Sequence, residues 1–480
     1  MRVLLGLGVL AAVLPVLGVK EHDFKKCSQS GFCRRGRALA QRAAESKAWK
    51  SPYTIDAGAI RVQGGKAVLS APVKSALYPD IKFALEVRVH DDGVVRVRMD
   101  EVGGLKQRYD GAADWALVRE PVLSAAASWD VGKQRASAQL GGGAEVVVKY
   151  DPLRVTLLRD GVEQVVLNGR GLLHMEHFRI KEAEPPSEES PEGDDAQKVL
   201  KPPKPSAWFE GEEEDAYWDE SWSSWTDTKP KGTLSLHLCK IIYTHHFPGP
   251  ESLSLDITFP NHGHVYGIPQ HASPLNLPET TGDNAHYPEP YRLWNSDVFE
   301  YGADSTISLY GSIPILHAHS ASSTVAVFNA LGSETFIDIS HPTEKSTQSH
   351  WIAESGVLDV FLIPGPTPID VFKQYAGLTG TAPLPSIWSL GYHQCRWNYV
   401  SSDDVRTVQK RFDEEDMPVD VFWLDIDYSP DHKYFIWKEK EFPDPIEMAN
   451  DVAAVQRKAS NSLMYNTELQ NDHATDGRHY

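Results

Sequence analysis

From about residue 52 to 370, apolar and polar residues alternate in short runs. The stretch FALEVRVHDDGVVRVRMDE, at 83–101, puts apolar side chains at alternate positions on both sides of Asp91-Asp92-Gly93. A period of two is that of a strand with one buried face, and Asp-Gly between two such runs is a hairpin signal. AEVVVKYDPLRVTLLRDGVEQVVLNG, at 144–169, repeats the pattern with turns at Asp151-Pro152 and Asp160-Gly161. STISLYGSIPILHAHS and STVAVFNAL continue it further on. Many short strands parted by turn residues predict a large antiparallel β-sandwich over 52–380.

The period changes near 354–380. GVLDVFLIPGPTPIDVFKQYAGLTGTAPLP predicts a strand, a turn and then a helix with Val371, Phe372 and Tyr375 on one face. The proline-rich TAPLP reads as the entry to a second domain. WSLGYHQCRW is expected to be a short apolar strand. SSDDVRTVQKRFDEED is expected to be a helix capped by Ser402 or Asp403, with Val405, Val408 and Phe412 on one face. VDVFWLDIDY reads as a buried strand ending in carboxylates, and FPDPIEMANDVAAVQRKA as the next helix. Strand, helix, strand in units of about ten residues opens a parallel βα structure, here over 381–450. The fold class is thus mainly β plus α/β.

Beyond Asn450 the text turns polar and patternless, so 451–480 reads as a divergent tail following a shifted or alternative reading frame. Two parallel strands cannot cover both of their faces or their open edge. Phe422, Trp423 and Ile426 are therefore expected to be exposed, and 386–480 to be poorly ordered when expressed alone.

Composition narrows the compartment and the partners. Arg2, the apolar run Leu4–Leu17 and the small Val16 and Gly18 make 1–18 a signal peptide, too short for a comfortable membrane span. A soluble lumenal protein is expected. In an oxidising lumen, Cys27 and Cys33 within the N-terminal segment 19–51 are expected to close a small disulfide loop. Cys239 and Cys395 read as separate thiols. The ending DGRHY carries no KDEL-type signal, and no N-x-Ser/Thr sequon occurs. The formal net charge of −19 argues against nucleic-acid binding, which needs clustered Lys and Arg. Much of that charge lies in an acidic insert at 182–220, expected to be a solvated excursion of the sandwich. GTLSLHLCKIIYTHHFPG, at 232–249, fits no sandwich pattern and reads as a retained intron or a natural loop.

Three clusters are candidates for chemistry. Asp425 and Asp427, in WLDIDY, stand where a βα barrel carries its functional side chains, at the C-terminal end of a strand. At i and i+2 they point the same way unless the strand end bends. The competing reading is an ordinary turn with solvated aspartates. Residues 391–399, GYHQCRWNY, are dense in aromatic and hydrogen-bonding groups; His393 suits a satisfied structural role better than a general base. HVYGIPQHASPLNL and YRLWNSDVFEYG read as a long loop in which Asp297 lies between Trp294 and Phe299. The 13 Trp and 18 Tyr suit both sugar stacking and a large β core. GGGAEV at 141–146 is a turn with neither P-loop lysine nor dinucleotide spacing, and no metal or cofactor motif is present.

HVYGIPQHASPLNL, YRLWNSDVFEY, LYGSIPILHAHS, PSIWSLGYHQCRWNY and VFWLDIDY, in that order, resemble the signatures of glycoside hydrolase family 31. FKKCSQSGFCRR and the acidic insert resemble the branch of that family found in the endoplasmic reticulum. The resemblance implies a galactose mutarotase-like sandwich, a (β/α)8 barrel and C-terminal β domains. It implies an α-glucosidase that removes terminal α-1,3-linked glucose from N-glycan precursors with retention, without a cofactor. It implies that Asp425 binds hydroxyls of the terminal glucose, that Ile426 lines that subsite, and that Asp297 reaches over the site from the sandwich. It also implies the Cys27–Cys33 disulfide and a β-subunit partner that supplies the retention signal.

The two catalytic aspartates of the family lie on later barrel strands, the first in a W-x-D-M-N-E-like segment and the second in a G-D-N-like one. Neither segment occurs; Gly282-Asp283-Asn284 matches in letters but falls in the sandwich. An eight-stranded barrel takes about 250 residues, so the barrel is expected to be incomplete here and no catalytic residue is assigned. Two readings follow: a glucosidase by descent that is inactive as this chain, or a non-catalytic carbohydrate-binding or subunit-binding module.

Overall fold

The computed structural model describes residues 24–176 and 251–461, apart from positions 80, 105, 106, 284, 299, 300, 434 and 435. The expected signal peptide, the acidic insert, the 232–249 segment with Cys239, and 462–480 lie outside the described residues. The chain divides into two compact units at Gly380/Thr381.

The first unit is built from two antiparallel sheets. One runs Tyr53–Ile55, Val68–Ser75, Lys82–Val89, Val95–Val102, Leu358–Ile363, Thr324–Asn329, Ile315–His319, His264–Gly267, with Arg61–Gln63 beside Val68–Ser75. The other runs Tyr291–Leu293, Thr335–Thr343, Ser346–Ala353, Leu253–Phe259, Val162–Leu167, Leu153–Arg159, Ala144–Tyr150, Arg135–Gly141, Trp129–Val131, with His174–Met175 beside Leu253–Phe259. Every second side chain of Lys82–Val89 and Ala144–Tyr150 is buried. Leu85, Val87 and Val97 of one sheet share a core with Val146, Leu157, Ile257 and Trp351 of the other. That is the face-to-face packing of a β-sandwich.

The turns follow their residues. Val89 pairs with Val95 across Asp91-Asp92-Gly93, where Gly93 takes φ 83° and Asp92 accepts a hydrogen bond from the Val94 amide at 3.0 Å. Arg159 pairs with Val162 across Asp160 and Gly161, both at positive φ, the geometry of a two-residue hairpin turn.

The helix Gly31–Glu45 docks on the second sheet. Phe32 and the disulfide between Cys27 and Cys33 pack against Phe336 and Ile352. Arg35 forms a bidentate, buried pair with Glu176 (2.8 and 3.0 Å), and Arg37 a second with Asp338 (3.0 and 2.6 Å). Close approach depends on Gly36, where an added Cβ would lie 2.7 Å from Ile352. Gly36→Val is therefore expected to cost ~1–3 kcal/mol through overpacking. A urea midpoint equal to wild type would show that the helix does not need this approach.

Several expectations are revised. HVYG is a strand on the edge of the first sheet, paired with Ile315–His319, and the loop begins only after it. The helix Pro368–Thr379 is capped by Thr367 and buries Val371 and Leu378 with Tyr375 packed beside them. Phe372 falls one step off that face and is exposed, with its ring 5.2 Å from His317.

The second unit has three parallel strands, His393–Arg396, Val421–Leu424 and Lys458–Asn461, in that order. Helices Ser402–Glu414 and Pro445–Ala454 connect them. WSLGYHQCRW is thus not one strand: Ile387–Leu390 is a 3-10 turn and pairing starts at His393. The first helix is capped by Ser401, one residue earlier than expected, whose hydroxyl accepts from the Asp404 amide at 3.1 Å. The helix Pro445–Ala454 passes through Asn450, and KASN after it is a third strand rather than patternless tail. Its pattern is too short to read because four residues of a parallel strand show no period. Phe422 is fully buried, against expectation, because Val405, Met448 and Val452 of the helices cover that face. Trp423 and Ile426, on other faces, are half-buried.

Candidate functional site

Parallel strands with helical crossovers bring all their C-terminal ends to one rim. Arg396, Leu424 and Asn461 are register partners at that rim. The next residues along are Trp397 and the segment Asp425–Asp427.

The strand Val421–Leu424 stops at Leu424 because Asp425 caps a 3-10 turn, Ile426–Tyr428. Asp425 Oδ1 accepts from the Ile426 amide at 2.7 Å, and the buried Tyr428 anchors the turn from below. The bend separates the two aspartates. Asp425 stays half-buried at the strand end beside Ile426, while Asp427 accepts a hydrogen bond from the indole N–H of Trp397.

The neighbouring cluster is held together internally. Trp423 Nε1 donates to His393 Nδ1 at 2.8 Å, which places the proton of that ring on Nε2, facing the Ser389 carbonyl at 3.1 Å. His393 is therefore a structural residue with both nitrogens engaged. Tyr392 donates to Gln394 (2.7 Å), and Gln394 donates to the Tyr399 hydroxyl (2.9 Å). Burial raises the Tyr399 phenol above its ordinary value. Cys395, on the same strand, is an exposed free thiol.

Asp297 belongs to the first unit. It is exposed, on the loop that follows Tyr291–Leu293. Ser296 donates its amide to the Leu309 carbonyl (2.8 Å), and Gln270 and Gly311 exchange further bonds at the loop base. A second anchor was not legible in the sequence. The carboxylate of Asp304 accepts from the Tyr287 hydroxyl at 2.5 Å and pairs with His286 Nε2 at 2.9 Å. These two hydrogen bonds hold the Asp304 carboxyl below its usual range. The partners lie 17 and 18 residues apart, and no periodicity links positions on opposite sides of an irregular loop. Among the described residues, no three His, Cys, Asp or Glu side chains are grouped to hold a metal. No helix of the described residues is long and apolar enough to cross a membrane.

Residues 84–338 match the glycosyl hydrolase 31 N-terminal galactose mutarotase-like domain, and 382–475 match the family 31 TIM-barrel domain. The chain belongs to glycoside hydrolase family 31. The second match takes in most of 451–480, in keeping with the third strand seen there. This family 31 chain is 35% identical over 462 residues to the glucosidase 2 subunit alpha of Schizosaccharomyces pombe, covering 92% of this chain and 46% of that protein. It resembles a solved endoplasmic-reticulum glucosidase II heterodimer of a catalytic subunit and the binding domain of a regulatory subunit. That match has a TM-score of 0.75 and 35% identity, over 95% of this chain and 48% of the other. It also resembles a glucosidase II α-subunit bound to alpha3-Glc2, with a TM-score of 0.74 and 35% identity over 95% and 48%. The chain spans about half the length of the curated relatives it matches.

Proposed function

We propose that this chain supplies the sugar-gripping part of an α-glucosidase of the glucosidase II type. The whole protein would remove terminal α-1,3-linked glucose from N-glycan precursors with retention, in the endoplasmic-reticulum lumen, as a heterodimer with a β-subunit. The observation that carries the reading is Asp425, held half-buried beside Ile426 at the C-terminal rim of the parallel strands. A carboxylate there, with one oxygen committed to a backbone amide, keeps acceptor capacity for sugar hydroxyls. The likeness to a glucosidase II α-subunit bound to alpha3-Glc2 supports the linkage. The likeness to the glucosidase II heterodimer supports the partner and, with the Cys27–Cys33 bond, an oxidising lumen. Asp297, on the sandwich loop, is proposed as a further substrate-binding residue.

Retaining hydrolysis needs two carboxyl groups about 5–5.5 Å apart on either side of the glycosidic bond. The 480 residues contain neither the W-x-D-M-N-E-like nor the later G-D-N-like segment that would carry them. A polypeptide of these residues alone is therefore proposed to hold sugar without turning it over, as a non-catalytic carbohydrate-binding module would. Deoxynojirimycin titrated into the purified 480-residue chain tests this. Asp425→Asn is expected to weaken binding by about ten- to a hundredfold, the worth of a hydrogen bond to a charged group. Equal affinity in the variant would remove Asp425 from the site. Turnover of a chromogenic α-glucoside by this chain would refute the non-catalytic part.

A further inference from the structure

A cleft of ≈ 300 Å³ opens in the sandwich unit between the start of the Asp297 loop and the strand Thr335–Thr343. Trp294 forms one wall, and Asn295, Ser312, Ser333 and Glu334 supply the polar lining. Asp297 is not among the residues that line it. The wall is unusually well fixed. The Arg292 guanidinium lies 5.5 Å from the Trp294 ring and 5.6 Å from the Phe336 ring, and its Nε donates to Glu334 at 2.8 Å. Both members of that ion pair are buried. Yet Trp294, which they support, is 48% exposed. An aromatic side chain clamped by a buried cation and left exposed loses little entropy when a ligand stacks on it.

The polar groups specify the chemistry. Ser312 Oγ is buried and has no hydrogen-bond partner among the described residues, so a ligand hydroxyl would satisfy it. Asn295 is exposed and offers both donor and acceptor. No lysine or arginine lines the cleft among the described residues, and a carboxylate does. Phosphates and carboxylates are therefore disfavoured and a neutral polyol is favoured. The volume lies at the lower limit for small-molecule sites, enough for a single ring.

We infer that this cleft is a sugar-binding site that takes one neutral hexopyranose, its C–H face on Trp294 and its hydroxyls on Asn295, Ser312 and Glu334. The site lies wholly within the sandwich unit and goes beyond the role proposed for Asp425.

The test is titration of the 480-residue chain, labelled with ¹⁵N at tryptophan, with methyl α-D-glucopyranoside and methyl α-D-mannopyranoside. The Trp294 indole signal, assigned by its loss in Trp294→Phe, is expected to shift saturably at millimolar sugar. Trp294→Ala, made in the Asp425→Asn background so that the other proposed sugar site is weakened, should remove this binding, measured by saturation-transfer NMR, and Asn295→Ala in the same background should weaken it severalfold. Asp425→Asn should leave the Trp294 titration unchanged, so failure of one site is told apart from failure of the other. A Trp294 signal that stays still with both sugars, or that shifts equally in Asn295→Ala, would overturn the inference. So would a shift that disappears in Asp425→Asn.

Discussion

Asp359→Ala is expected to lower the stability of the sandwich unit by about 3 kcal/mol. Asp359, on Leu358–Ile363, receives two hydrogen bonds from Arg96 on the adjacent strand Val95–Val102, at 2.8 and 2.6 Å. Both side chains are buried in the sheet, and the guanidinium lies 5.0 Å over the Phe361 ring. Removing the carboxylate strands a charge that has already lost its water. The exposed Glu120, 3.2 Å from Arg96, compensates in part, which places the cost at the lower end of the range for broken buried pairs. Replacing both partners, as Arg96→Met with Asp359→Leu, is expected to recover most of the loss, since an apolar pair of similar volume needs no desolvation. Urea midpoints of the wild type, the single and the double variant decide this. A single variant within about 1 kcal/mol of wild type would mean that the pair behaves like a surface contact.

The second large effect is acid lability beginning near neutrality. Burial pushes the His350 imidazole down to about 3 from its ordinary 6.5, with the nearby Arg37 and Arg170 charges adding to the shift. Burial also takes His262 and His317 down to about 4, His319 contributing for His262. Each folded value lies below the unfolded one, so the unfolded chain gains protons first as pH falls. The stability these histidines lend is complete above pH 6.5 and drains away down to pH 3–4. At about pH 5 each has withdrawn about 2 kcal/mol, and three together rival the whole stability of a typical domain. Asp256, opposite His350 in the sheet, has its carboxyl raised by burial and offsets part of the loss at the acid end. The measurement is the urea midpoint at about pH 7.5, 6 and 5, repeated for His350→Leu, which should flatten the slope. A midpoint that holds steady over that interval would show that these rings are not buried neutral.

The two effects share an origin. Both come from polar groups inside a large β core, a place that alternation alone marks as apolar. Arg96 stands among valines in VVRVRM and reads as the solvent side of a strand. It is buried because the helix Pro368–Thr379 and the segment near Glu120 lie over that face of the sheet. His350 reads as an ordinary strand residue in STQSHWIA, but the N-terminal helix Gly31–Glu45, more than 300 residues away in the sequence, roofs it.

What the sequence determined by itself was local. Alternation and Asp-Gly turns placed the hairpins at 91–93 and 160–161, a Ser before a helical period located the helix Ser402–Glu414 to within a residue of its cap, and a helical period placed a second helix near the end of 354–380. The run of carboxylates after VFWL likewise showed that the strand ends in polar groups at the barrel-type rim. These features depend on neighbours a few residues apart, whose geometry is set by backbone stereochemistry. Only the tertiary structure decided which of the two aspartates stays at the strand end, that His393 is spent on Trp423, that Asp304 pins the Asp297 loop, and that KASN is a strand. The last three are settled by partners distant along the chain, and the two aspartates are parted by a local cap at Ile426 together with the Trp397 indole, 30 residues from Asp427. A hydrogen bond or a buried face has no signature in either partner's local sequence until the fold brings the two together.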